Sequence, residues 1–172
     1  MNTAKPSPKG HIIQPKPAHL FISPLGFHMY SSQFLKAARS LERPNHFSAV
    51  HYYLYCRSIE LSLKSFLLFS GVSITELKGR TLGHDLVRVW KRASKLGIST
   101  LVKLSKSQMV CLCAANTYYK SKGFEYFDIL KAVQGFRDRP DLDMLDSLAS
   151  ELVNQLKKSC TDAADIPPET EI

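Results

Sequence analysis

The 172-residue chain has no histidine after His84 and no glycine-rich loop of the kind that cradles phosphate. Its four cysteines, Cys56, Cys111, Cys113 and Cys160, lack the paired spacing of a disulfide framework. Cys111 and Cys113 are two positions apart, which places them about 200° apart around a helix and unsuited to share a metal. Reduced thiols in a cytoplasmic protein are therefore expected. His11, His19 and His28 have no metal-ligand spacing with one another, so neither a zinc site nor a cofactor is expected. No serine, histidine and aspartate fall in an order that suggests a nucleophilic triad. The first 24 residues hold lysines but no continuous apolar run, which argues against a secretory leader. The longest apolar stretch, within 47–69, is interrupted by Arg57, Glu60 and Lys64, which argues against a membrane span. No segment alternates with period two and no internal repeat is evident.

What remains is a chain long enough for one domain with a real core. Residues 1–24 contain five prolines with Lys5, Lys9 and Lys16 and no acid, and read as a flexible arm. Residues 159–172 contain Asp162, Asp165, Glu169 and Glu171 and no base, and read as an acidic flexible tail. With +3 on the arm and −4 on the tail, the net charge of +8 leaves +9 on residues 25–158. A basic body of this kind suits contact with a polyanion.

Within the body the apolar spacing is helical throughout. "FHMYSSQFLKAARSLE" sets Phe27, Tyr30, Phe34, Ala37, Ala38 and Leu41 on one face, and Pro44 breaks the pattern. A long central helix is expected over about 46–70, closed by Gly71. "VSITELKGRT" reads as a loop with one helical turn, and "HDLVRVWKRASKLG" as an amphipathic helix stopping at Gly97. "SKSQMVCLCAANTYYKSK" comes next, capped by Ser105 or Ser107 and closed by Gly123. The segment around 123–139 is ambiguous. "PDLDMLDSLASELVNQLKK" completes the body, with Pro140 at its start, acids in its first turn and lysines in its last. The expectation is an all-α, up-and-down bundle of about five helices.

The central helix carries Arg57, Glu60 and Lys64 at i, i+3 and i+7, on one stripe of an otherwise greasy surface. Glu60 precedes Lys64 by four residues, the favourable order for an ion pair. A desolvated charge must be paired, so a structural ion-pair stripe is favoured over an anion-binding one. The neighbouring helices and the loop before His84 are expected to supply its partners.

"IELSLKSFLL", "GVSITELKG" and "LGHDLVRVW", followed by "YYKSKGFEYF" and "RPDLDMLDSLA", resemble in order and spacing the HEPN-domain proteins, and more narrowly a bacterial HEPN-like group. The resemblance spans about residues 27–158. It implies a helical bundle that is often a homodimer. Its members include metal-independent RNases, toxins paired with nucleotidyltransferase antitoxins, and modules without catalysis.

Nuclease members combine an Arg with a His a few positions beyond it, near the last helix. There the His would act as general acid or base at a ribose 2′-hydroxyl while the Arg holds the phosphate. The matching place here, Arg137–Asp138, is followed by no histidine. Arg39 and His46 are separated by six residues, with Pro44 between them. Arg80 and His84 are separated by three, one short of the pattern, although His84 and Asp85 open a helix whose amides favour an anion.

The leading expectation is a non-catalytic HEPN-like module that binds RNA, a nucleotide or a nucleotidyltransferase-type partner protein through a basic face. Its candidate contacts are Arg57, Glu60, Lys64, Arg80, His84, Asp85, Arg88 and Lys91. The alternative is a metal-independent RNase using Arg80 and His84. Tyr118, Tyr119, Lys120, Lys122, Phe124 and Tyr126 interleave aromatics with bases, but read first as a helix end.

Overall fold

The computed structural model describes residues 22–125 and 139–163. Among these residues there are six helices and no strand: α1 (Pro24–Ser40), α2 (Ala49–Phe69), α3 (Ile74–Lys78), α4 (Leu86–Lys95), α5 (Lys106–Tyr119) and α6 (Leu142–Asp162). A short 3-10 turn, Ile98–Thr100, comes after α4. The protein is an all-α bundle, and no described helix is long and apolar enough to cross a membrane.

Helix α2 is the axle. Fourteen of its 21 residues are buried, so neighbours enclose most of its circumference. Helices α1, α4, α5 and α6 all pack on it, and α1 also packs on α6. Ser31 of α1 meets Ser58 and Ser62 of α2, whereas Tyr52 meets Pro140 before α6 and Ser65 meets Cys160 near its end. Helix α6 therefore runs in the same direction as α2. One apolar core, built around Ile59, Leu63 and Leu67 of α2 with Leu145, Leu148, Leu152 and Leu156 of α6, links the elements.

Local chemistry sets the helix ends. Ser23, Ser73, Asp85, Ser105 and Asp141 each cap a helix by accepting a hydrogen bond from a first-turn amide, and Ser105 with Gln108 completes a reciprocal capping box. Gly71 and Gly97 take the left-handed conformation that closes α2 and α4 (φ 81° and 89°).

Several expectations need correction. The buried face of α1 is His28, Ser31, Leu35 and Ala38, while Tyr30, Ala37 and Leu41 are exposed. The small hydroxyls of the α1–α2 seam let the two backbones approach, and that seam outweighs the larger apolar side chains in setting the rotation of α1. Helix α5 stops at Tyr119, and Lys122 rather than Gly123 takes the positive φ (59°). Pro140 lies before the Asp141 cap, outside α6. That helix runs on through Asp162, so residues 159–162 belong to its last turn, which holds no base. Most of the arm (1–21), the ambiguous stretch with Arg137 and Asp138 (126–138) and the rest of the tail (164–172) lie outside the described residues.

Candidate functional site

The three charges of the α2 stripe converge. Glu60 is wholly buried. Its Oε1 accepts from Lys64 Nζ at 2.6 Å, and its Oε2 accepts from Arg57 at 2.9 Å and from the Tyr119 hydroxyl at 2.5 Å. His84 Nδ1 stands 3.1 Å from the same Oε2. Helical spacing supplies the first two donors; α5 supplies Tyr119, and the loop before α4 supplies His84. Lys64 also donates to the carbonyl of Gly83 at 2.7 Å, which ties that loop to the axle.

Burial alone would raise the Glu60 carboxyl. The His84 hydrogen bond and the charges of Lys64 and Arg57 outweigh it and hold the group down at about 2. Glu60 is thus an anion at neutral pH and accepts only, so the facing His84 Nδ1 carries the proton. Burial first, and then the adjacent carboxylate, push the Tyr119 hydroxyl far above its ordinary range, so it stays a donor. Arg57 is held in its charged form against its own burial by Glu60.

The opposite side of the His84 ring faces outward. The His84 side chain is 42% exposed and lines a groove of about 420 Å³ with Arg80, Asp85, Arg88 and Lys120. The His84 and Tyr119 rings are perpendicular, with centroids 6.1 Å apart. Asp85 Oδ1 is committed to the fold, capping α4 through the Arg88 amide at 3.0 Å and accepting from Asn116 Nδ2 at 3.0 Å, while its Oδ2 stands 3.5 Å from Arg88 Nε in the groove. Asn116 Oδ1 takes the Leu86 amide at 2.7 Å. The first-turn amides of Leu86 and Arg88 are therefore occupied internally, and the anion site expected at this helix end is filled by the protein's own side chains.

The candidates separate into two groups. Arg57, Glu60 and Lys64 form the buried hub, and Lys64, with a side chain 10% exposed, does not reach the groove as a free cation. Arg80, His84 and Arg88 line the groove, with Lys91 exposed one turn further along α4. Sequence reasoning missed the roles of Tyr119 and Asn116, and read Lys120 first as part of a helix end and second as a phosphate contact. The aromatic–basic run had marked Tyr119 and Lys120, but nothing in the sequence signals Asn116. His51 is half a helix away, hydrogen-bonded to Ser48 at 2.9 Å, and takes no part. Among the described residues no group of three His, Cys, Asp or Glu side chains is placed to hold a metal, and all four cysteines are free.

Comparison with protein families, curated proteins and solved structures finds no match. A wall of guanidinium and ammonium groups around an imidazole whose inner nitrogen is fixed by a buried carboxylate suits a ligand with several anionic oxygens.

Proposed function

We propose that the protein is a HEPN-like helical module that binds RNA through the groove at His84. The supporting observation is the clustering of Arg80, Arg88 and Lys120 around His84, on a body of net charge +9. Arginine forks grip phosphate oxygens bidentately, and Lys91 extends the basic surface along α4. In this reading Glu60 is a positioning residue that acts through His84, and the module works as a homodimer or beside a nucleotidyltransferase-type partner. Fluorescence anisotropy of a labelled single-stranded RNA at low ionic strength tests it. The wild type binds and the Arg80→Gln/Arg88→Gln/Lys120→Gln protein loses at least tenfold in affinity; an absence of binding by the wild type overturns the proposal.

A second reading is favoured by the Glu60–His84 pair. A carboxylate that fixes the proton on Nδ1 leaves the other ring nitrogen with a lone pair, the arrangement a general base requires. With Arg80 or Arg88 on the phosphate, the same groove would cleave RNA without a metal. Incubation of RNA with the protein in chelator distinguishes the two readings. Cleavage that disappears in His84→Ala, with the helical circular dichroism intact, selects catalysis; no cleavage alongside retained binding selects the module.

A further inference from the structure

One group in the wall of the His84 groove is out of keeping with a site for phosphate alone. Asp85 lines the groove among Arg80, His84, Arg88 and Lys120, and a carboxylate repels a phosphate. Its two oxygens are used differently. Oδ1 accepts the Arg88 amide and Asn116 Nδ2, both at 3.0 Å, and these two bonds fix the plane of the carboxylate. Oδ2 accepts no hydrogen bond from the described residues and stands 3.5 Å from Arg88 Nε, on a side chain 18% exposed. An ion pair at that distance, with the arginine largely in solvent, contributes little to stability. Nor does the cap require the second oxygen, since Ser23, Ser73 and Ser105 cap other helices of this chain with one. The result is a fixed acceptor beside a guanidinium suited to grip phosphate.

The chemistry of a bound strand decides what that acceptor can meet. Backbone phosphodiesters carry no donor. The ribose does: its 2′-hydroxyl sits on the carbon next to the one whose oxygen bears the 3′-phosphate. A 3′-phosphate gripped by Arg88 therefore brings the hydroxyl of the same nucleotide to the neighbourhood of Asp85 Oδ2. DNA has no such hydroxyl, and this group is what lets a protein tell the two nucleic acids apart.

We propose that Asp85 Oδ2 accepts the 2′-hydroxyl of the nucleotide whose 3′-phosphate lies on Arg88, so that the groove selects RNA over single-stranded DNA. This role rests on the groove being an RNA site and gives that site its specificity residue. Asn116 is a positioning residue here, acting through the carboxylate that it orients.

The test compares a short labelled oligouridine with its 2′-deoxy and 2′-O-methyl counterparts by anisotropy at low ionic strength, so that base and phosphates stay the same. The wild type should bind the ribose oligomer about tenfold more tightly than either counterpart, the range for losing one hydrogen bond to a charged group. Asp85→Asn keeps an oxygen for the cap and turns the groove-facing acceptor into a donor, and its preference should vanish. A purely structural role would weaken all of the oligomers alike and leave the preference standing. Equal binding of the oligomers by the wild type overturns the role of Asp85 while leaving the RNA groove in place. So does a preference that persists in Asp85→Asn with the helical circular dichroism intact. Binding of none of them overturns the RNA groove itself, and the role of Asp85 with it.

Discussion

The hydroxyl of Tyr119 donates to Oε2 of Glu60 at 2.5 Å, joining α5 to α2 across 59 positions of the chain. This contact brings the end of α5, and with it Lys120, to the rim of the His84 groove. Tyr119→Phe keeps the ring and removes the donor. The expected cost is about 2 kcal/mol, the range for losing a hydrogen bond to a buried charge, read from urea unfolding with an unchanged m-value.

Glu60→Ala leaves the buried Lys64, and the partly exposed Arg57, without their carboxylate. Breaking a buried pair on one side costs roughly 3–5 kcal/mol, far more than the pair contributes against an apolar replacement. Chemical denaturation of Glu60→Ala beside Arg57→Ala checks this. The Arg57 variant should lose less, because its side chain is 28% exposed and Lys64, His84 and Tyr119 still serve the carboxylate.

The depressed Glu60 carboxyl sets an acid limb in the stability profile. Its ordinary value is 4.5 and its folded value is about 2. The folded group binds its proton less readily than the unfolded one. Its contribution is therefore present above pH 4.5 and is lost as pH falls towards 2. The size is about 3 kcal/mol. Urea midpoints measured every half unit across that window should fall steeply in the wild type, and that part of the slope should be missing in Glu60→Gln.

The fold was legible because helical periodicity and caps are local signals: Gly71, Gly97, Ser105 and the apolar spacing of α2 mark their elements in the chain itself. The rotation of α1 was not legible, because Ser31, Ser58 and Ser62 pack as small residues in a seam that only the paired helix reveals. The stripe Arg57–Glu60–Lys64 announced a need for partners. The loop before His84 was expected to supply one and does so through the Gly83 carbonyl, whereas Tyr119 comes from a distant segment that no spacing rule connects. Asp85 was legible as a helix opener, but its occupation by Asn116, thirty-one positions away, was not.

Asn116→Ala removes the acceptor of the Leu86 amide and a donor to Asp85, leaving a buried backbone N–H unsatisfied. A loss of about 2–3 kcal/mol is expected. Hydrogen exchange should show faster opening of the first turn of α4 in this variant, with the core of α6 unchanged apart from the global shift.

If the groove binds RNA, its grip is electrostatic and salt-dependent. Each phosphate contact on a single strand contributes about 0.7 to the slope of log K against log salt. Replacing Arg80, Arg88 and Lys120 with Gln should lower that slope by about 2, measured by anisotropy over a salt series.

The hub, and with it the placement of His84 in the groove, depends on an ionised carboxylate buried in the middle of α2 that holds His84, Lys64 and Arg57. Carbon-13 NMR of the Glu60 side-chain carboxyl, monitored through an acid titration, measures that state directly. A midpoint at about 2 is predicted; a midpoint in the ordinary glutamate range, about 4.3 or above, would contradict the account.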